Sequence, residues 1–208
     1  MTVLNNLASA QGVRSEQPDI DLAIELVEMG DEQAVAEIVE ALWSKDKKVR
    51  NDCIKVLYEI GYRKPEMIAP YVEDFLKLIL DRNNRLVWGG MIALSTIANL
   101  RADQIYAQLS RVKRVYEAGS VITQDAGIRV FAKVAAHSTA YSHEIFPYLL
   151  EQLRTCRPKS VAQYAESAQV AVNELNLEEF LQVLTQRKDN LSASQLKRVE
   201  KLERSLES

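Results

Sequence analysis

The sequence predicts an all-α fold, an α-α superhelix of about four helical hairpins with capping helices at both ends. Glycine and proline are few, 7 and 5 among 208 residues, whereas sheet-rich folds need more turn residues. Apolar side chains recur at helical spacing, and a two-helix unit repeats about every 37 residues. One hairpin cannot bury its apolar face alone, so repeated hairpins are expected to stack and share a core.

The N-terminal part, residues 1–30, is predicted to cap the stack. Residues 19–29 form a short amphipathic pattern that ends at Gly30, a residue type that commonly terminates helices. Residues 1–18 are compatible with either another short helix or a loose segment.

Four segments align in their apolar positions, and each is predicted to be the second helix of a hairpin. They are residues 49–61, 86–98, 123–135 and 161–173, with starts 37, 37 and 38 residues apart. Their shared apolar or small positions follow spacings of four, three, one and three residues, which places them on one helical face. The second of these positions is always small, so a neighbouring helix is expected to approach closely there. It is occupied by Cys53, Gly90, Gly127 and Ala165.

An amphipathic first helix precedes each of these second helices. The apolar stripes of the first helices lie within residues 35–42, 68–79, 105–116 and 145–153. The repeats therefore extend over residues 31–175, in a chain that is predicted to be one domain, 1–208.

Capping helices are predicted for residues 176–208, within segments 177–184 and 192–206. The last of them carries Leu196, Val199, Leu202 and Leu206 on one face. That face fits either a capping helix or a short coiled-coil seam. Two heptads are short for a coiled coil, so the pattern favours the cap.

The turns between the helices carry motifs of a known repeat. Pro70 and Pro147 lie in similar contexts, IAPYV and IFPYL, inside first helices. Asp46 stands shortly before Arg50 in the first turn, and Asp81 matches part of the same pattern in the second. The third and fourth turns lack these residues, so the aspartate–arginine ladder is incomplete. On these motifs the chain resembles the HEAT repeat (armadillo-like helical) family over roughly residues 31–175.

The resemblance implies that the second helices line a concave surface that contacts partners. Residues on these helices outside the core positions are therefore candidates for a binding site. They are Lys55, Trp88, Ile92, Asp125, Arg129 and Lys133. Trp88 is unusual because a polar residue is expected at this position of a second helix, outside the core positions. It is either exposed in the groove as an anchor for a partner, or buried between neighbouring second helices.

Charge is polarised along the chain. Residues 15–42 contain nine acidic and no basic side chains, whereas residues 82–133 contain eight basic and three acidic ones. The basic residues are candidates for a surface that follows nucleic-acid phosphates. They are Arg82, Arg85, Arg101, Arg111, Lys113, Arg114, Arg129 and Lys133. The HEAT-like alkylpurine DNA glycosylases use such a groove, but this chain is acidic overall and lacks the Trp-Asp segment of those enzymes.

No catalytic constellation is evident in the sequence. His137 and His143 flank a turn and do not share a helical face, which favours solvated loop histidines over a metal pair. Cys53 and Cys156 are far apart and have no ligand-like neighbours, so a reducing, cytoplasmic setting is expected. The start of the chain does not resemble a signal peptide, and no apolar run approaches the roughly 20 residues of a membrane span.

The sequence thus predicts a non-enzymatic scaffold or adaptor that binds a partner protein or peptide through its concave surface. It predicts no cofactor, no metal and no membrane association. The alternative is a nucleic-acid-binding protein that resembles the alkylpurine DNA glycosylases. A third class, the HEAT-like phycobilin lyases, ranks last because nothing in the sequence indicates a tetrapyrrole site.

Overall fold

The computed structural model describes residues 2–206, and these residues form helices and turns without any strand. The chain divides into two compact units, Met1–Gly127 and Ile128–Ser208. The boundary between the units falls inside one helix, α8 (Val121–Ala135). The sequence predicts one domain over residues 1–208, and this stays a prediction.

The first unit is built from helical hairpins. Its helices are α1 (Gln17–Met29), α2 (Glu32–Ala41), α3 (Lys47–Arg63), α4 (Val72–Leu78), α5 (Asn84–Ile97), α6 (Ala102–Ala107) and α7 (Leu109–Ala118). Two hairpins are formed where α2 packs against α3 and where α4 packs against α5. Helix α1 also packs against α3, and α3 packs against α5. Helices α1, α3 and α5 therefore lie side by side, with α1 in the place of a second helix at the end of the row.

The second unit continues the same architecture. Its helices are α9 (Thr139–Thr155), α10 (Pro158–Ala168), α11 (Leu177–Arg187) and α12 (Ala193–Leu206). Helix α9 packs against α10 and α11, and α12 packs against α10 and α11. Val199 and Leu202 of α12 are buried in this packing, as a capping helix requires.

The first helices are less regular than the sequence predicts. The helix expected over residues 68–79 begins as two short 3-10 turns, Pro65–Met67 and Ala69–Tyr71, before α4 starts. Proline has no backbone N–H and fixes its own φ, so Pro65 and Pro70 favour such short turns over a continuous α-helix. The helix expected over 105–116 is interrupted at Gln108 and forms both α6 and α7.

Helix ends follow the capping chemistry that their sequences carry. The carboxylate of Asp46 accepts a hydrogen bond from the backbone N–H of Lys48 at 2.8 Å, which satisfies an otherwise unpaired donor at the start of α3. Asp31 does the same for Ala34 at the start of α2. Gly30 adopts a left-handed conformation with φ of 64°, which confirms it as the residue that ends α1.

Close helix approach explains the glycines inside the second helices. A Cβ atom at Gly89 of α5 would lie 2.7 Å from Cγ1 of Ile54 on α3. A Cβ atom at Gly127 of α8 would lie 2.7 Å from Cδ2 of Tyr116 on α7. Each glycine costs the helix about 1 kcal/mol relative to alanine. That cost is offset by the closer packing of neighbouring helices that these glycines allow.

Candidate functional site

Helices α3 and α5 bring two of the predicted site residues, Lys55 and Trp88, to one surface of the first unit. The Nζ atom of Lys55 lies 4.9 Å from the ring centroid of Tyr58, a cation–π distance. The Tyr58 ring lies 6.1 Å from the ring of Trp88 across the two helices. Trp88 is half-buried, so one part of its ring packs against α3 and another part is accessible. Tyr62 extends the aromatic cluster toward solvent, with a ring centroid 6.0 Å from that of Tyr58.

Lys55 is held inside an ion-pair network rather than free in solvent. The residue is 7% exposed, and its Nζ atom lies 2.9 Å from Oε1 of Glu59 and 3.2 Å from Oε2 of Glu16. Burial acts to lower the pKa of Lys55, but its hydrogen bonds and charge interactions with Glu59 and Tyr58 outweigh burial and raise the pKa. Lys55 therefore stays charged, and its charge is balanced within the chain.

Arg85 also belongs to this surface, although the sequence indicated it only as a candidate for the basic, nucleic-acid-binding surface. Its Nη2 atom lies 2.6 Å from Oε1 of Glu16, and its guanidinium carbon lies 5.3 Å from the ring centroid of Trp88. Its Nε atom is buried and has no hydrogen-bond partner among the described residues. Arg85 stands three residues before Trp88 on the same helix, and that spacing is the sequence signal that connects Arg85 with Trp88.

Glu16 is the second unexpected member. It directly precedes α1, and its side chain is 45% exposed while its carboxylate bridges Lys55 and Arg85. Burial acts to raise the pKa of Glu16, but hydrogen bonds and charge interactions with Arg85 and Lys55 outweigh it and lower the pKa. One carboxylate is therefore shared by two cations from two different helices.

The remaining site candidates of the first unit, Ile92 and Asp125, differ in the solvent exposure of their side chains. Ile92 lies one turn after Trp88 on α5 and is 7% exposed, which leaves a partner little of its side chain to contact. Asp125 lies on α8 and is half-buried. Neither residue belongs to the ion-pair network around Lys55.

Arg129 and Lys133 belong to the second unit, where they lie one turn apart on α8. Both side chains are half-buried. Burial and the neighbouring charge of Arg129 lower the pKa of Lys133. Two cations at this spacing repel each other.

The segment before α1 is tied to the first unit by two carboxylates. Asp19 accepts a hydrogen bond from the backbone N–H of Ala8 at 2.9 Å, and Asp52 accepts one from Ser9 at 2.8 Å. Asp19 is 1% exposed. Burial raises its pKa to about 6, the Ala8 hydrogen bond opposes this, and the charges of Asp52 and Glu16 add to it. A cavity of about 440 Å³ lies between this segment and the start of α5, and Asp19 and Arg85 are among its lining residues.

The basic residues that the sequence offers for nucleic-acid binding have different environments. Arg85 is paired with Glu16, and the Nε atom of Arg101 donates a hydrogen bond to the backbone oxygen of Ala69 at 3.1 Å. In contrast, Arg82, Arg111 and Arg114 line one surface cavity of about 570 Å³. The structure therefore brings together three of the eight basic residues in that cavity.

The histidines and cysteines do not come together. His137 and His143 are both exposed, and the His137 ring stacks on that of Tyr141. Cys53 is buried, which raises the pKa of its thiol to about 12, and Cys156 is half-buried. Within residues 2–206 no group of His, Cys, Asp or Glu side chains has an arrangement that could hold a metal ion. No helix in that range combines the length and apolar character that crossing a membrane demands.

Helical hairpins occur in both units, and in the first unit the second helices α3 and α5 lie side by side. This architecture defines the class of helical-repeat proteins. No family model matches the chain, and no curated protein matches its sequence. Solved structures match it over most of its length and make the class more specific. The fold is an armadillo-like helical-repeat solenoid. This confirms the predicted fold class and supports the resemblance at the level of an armadillo-like helical repeat.

Three solved structures illustrate the likeness. A designed armadillo repeat protein, YIII(Dq.V1)4CPAF in complex with peptide (KR)4, has a TM-score of 0.67 at 14% identity. The designed armadillo repeat protein YIII(Dq)4CqI has a TM-score of 0.64 at 15% identity. Both alignments cover 89% of this chain and 86% of the other. An engineered protein from a structural genomics programme has a TM-score of 0.64 at 17% identity, with 100% of this chain and 97% of the other covered.

Proposed function

We propose that this chain is a non-enzymatic scaffold that binds a partner protein or peptide on the surface formed by its second helices. The observation that carries the proposal is the surface of α3 and α5, where a half-buried tryptophan lies among two further aromatic rings and two cations. Tryptophan, tyrosine and arginine are the residues that contribute most often to the energetic centre of protein interfaces.

The solved neighbours support a peptide as partner. One of them is a designed armadillo repeat protein in complex with peptide (KR)4. Repeat solenoids present extended surfaces on which a peptide contacts several successive repeats. We therefore assign partner binding to the candidates predicted on the second helices, and we add Arg85 to them. The predicted candidates are Lys55, Trp88, Ile92, Asp125, Arg129 and Lys133.

The turn chemistry supports HEAT repeats as the particular kind of helical repeat. Arg50 of the first hairpin pairs with Asp81 of the second at 2.6 Å, which forms one step of an aspartate–arginine ladder. The free thiols of Cys53 and Cys156 fit the reducing, cytoplasmic setting that the sequence predicts.

The experiment is affinity capture of the partner, followed by binding assays with purified variants. The double variant Trp88→Ala with Arg129→Glu is expected to lose the captured partner and keep its helical circular dichroism. The matched control is Trp43→Ala with Lys77→Glu, which removes a tryptophan and reverses a positive charge at exposed positions outside the second helices. The proposal fails if the partner binds both variants equally well, or if only the control loses it.

A nucleic-acid-binding role is a second candidate, favoured by the convergence of Arg82, Arg111 and Arg114 on one cavity. In that case a labelled DNA duplex would bind the chain at low salt and be released as salt rises, because phosphate contacts release counterions. The variant Arg111→Glu with Arg114→Glu would then weaken retention, whereas Lys77→Glu would not. Absence of binding at low salt removes this candidate.

A further inference from the structure

The contact between Glu16 and the two cations Lys55 and Arg85 has the geometry of a bound ligand. The two oxygens of one carboxylate are used separately, Oε1 by Arg85 at 2.6 Å and Oε2 by Lys55 at 3.2 Å. The cations come from α3 and α5, and the carboxylate comes from the residue before α1. A carboxylate of any other chain would satisfy the same two donors in the same way.

Lys55 does not depend on Glu16 alone for its charge balance, and Arg85 also lies over the Trp88 ring. Lys55 keeps a second carboxylate, Glu59, at 2.9 Å, and Glu59 is also paired with Arg63 at 2.6 Å. The Glu16 side chain is 45% exposed, and it makes no capping hydrogen bond at the start of α1. Exchanging one half-exposed carboxylate for another changes little in desolvation, so Glu16 is more easily replaced than Glu59, whose side chain is only 14% exposed.

The surroundings favour an apolar residue next to the incoming carboxylate. Arg85 lies over the Trp88 ring and Lys55 lies over the Tyr58 ring, so both cations rest on an aromatic surface. The exposed ring of Tyr62 continues that surface. An acidic side chain with an aromatic or aliphatic neighbour would pair with the cations and cover the rings at once.

We infer that Lys55 and Arg85 bind a carboxylate of an acidic, partly apolar peptide, and that Glu16 occupies this site until the peptide displaces it. The inference rests on the proposed function and names the chemistry of the partner. The occupant has the opposite charge to the (KR)4 peptide bound by the designed neighbour. Because Glu16 directly precedes α1, and α1 packs against α3, Glu16 is held beside the site and competes at high effective concentration.

The test is fluorescence anisotropy of the full chain with labelled peptides of one length. One peptide alternates Glu with Leu and Phe, a second has Gln in place of Glu, and a third has Lys. Glu16→Gln is expected to tighten binding of the acidic peptide by about tenfold, the gain if Glu16 covers the site nine-tenths of the time. Glu28→Gln, an exposed carboxylate on α1, is the matched control and should change nothing.

Arg85→Gln is expected to lose binding of the acidic peptide, whereas Arg82→Gln, at an exposed arginine outside the aromatic cluster, is expected to retain it. Circular dichroism checks the fold of each variant. If Glu16→Gln does not fold, the wild-type chain decides through the Glu and Gln peptides, because only the Glu peptide carries the carboxylate that Lys55 and Arg85 are proposed to bind.

Two outcomes overturn the inference. The first is preference for the Lys or the Gln peptide. The second is unchanged affinity in both Glu16→Gln and Arg85→Gln. In either case the proposed function is judged separately by Trp88→Ala with Arg129→Glu. If the partner no longer binds that variant but binds the Glu16 and Arg85 variants as tightly as the wild type, the scaffold role stands and the acidic-peptide inference fails.

Discussion

Nη2 of Arg50 lies 2.6 Å from Oδ2 of Asp81, and Nε of the same arginine lies 2.6 Å from the backbone oxygen of Leu42. One side chain thus ties the start of the first hairpin's turn, at Leu42, to the turn of the next hairpin. Both members of the pair are mostly buried, with 19% and 20% of their side chains exposed. An ion pair in such a position also fixes the register between successive repeats.

Arg50→Ala is expected to lower the free energy of unfolding by about 1 to 3 kcal/mol, because it leaves the Leu42 oxygen and the Asp81 carboxylate without this donor. Urea denaturation followed by circular dichroism measures the loss. Lys48→Ala, an exposed side chain in the same first turn of α3, is the control. Equal losses in the two variants would show that the Arg50–Asp81 pair contributes nothing.

Gly89→Ala is expected to destabilise the first unit by about 1 to 3 kcal/mol, although alanine is the better helix former. The added Cβ would lie 2.7 Å from Cγ1 and 3.1 Å from Cγ2 of Ile54. Thermal unfolding of Gly89→Ala, Ile54→Ala and the double variant gives the coupling between the two positions. The double variant should be more stable than the sum of the two single losses predicts, and simple additivity would contradict the close approach of α3 and α5.

Asp19 should make stability depend on pH between about 4 and 6. Its folded pKa of about 6 lies above the ordinary value of 3.8, so within this window the folded state binds more protons than the unfolded state. Stability from this group is present at low pH and is lost as pH rises through 6, by about 2 to 3 kcal/mol. Asp19→Asn keeps an oxygen for the Ala8 N–H and should remove that dependence.

The measurement is the difference in free energy of unfolding between wild type and Asp19→Asn across this pH window. The Asn variant should gain on the wild type as pH increases. Asp21→Asn, at an exposed carboxyl on the same helix, is the control and should follow the wild type. A difference that is constant with pH would contradict the raised pKa of Asp19.

Leu202→Ala should destabilise the second unit by about 2 to 4 kcal/mol, because Leu202 is buried where α12 packs against α10 and α11. The control is Lys201→Ala, at the exposed neighbouring position. Its free energy of unfolding should stay within about 0.5 kcal/mol of wild type. Sedimentation separates a capping helix from a coiled-coil seam. A seam predicts that Leu202→Ala lowers the molecular mass, whereas a cap predicts no change in mass.

Much of the fold followed from local periodicity. The spacing of apolar residues predicted α3, α5 and α8 nearly to their ends, because helix packing requires the same face in every repeat. The first helices were predicted less well, since Pro65 and Pro70 replace one helix by short 3-10 turns. Such turns follow from proline chemistry rather than from the apolar stripe.

The site could be predicted only in part, because its main contacts join residues distant in sequence. Row positions on the second helices indicated Lys55 and Trp88, and the structure links both through Tyr58. Glu16 lies far from Lys55 and Arg85 along the chain, so no spacing rule could connect them. The acidic run over residues 15–42 was the only trace of this contact in the sequence.

The central claim is that a partner is held on the second helices beside Trp88. The direct measurement is the tryptophan fluorescence of the Trp43→Phe variant, in which Trp88 alone reports, during titration with the captured partner. The account predicts a blue shift and protection of Trp88 from acrylamide quenching at saturation. The contradicting result is unchanged Trp88 emission and quenching at saturation, while the Trp88→Phe variant, in which Trp43 alone reports, responds to the partner.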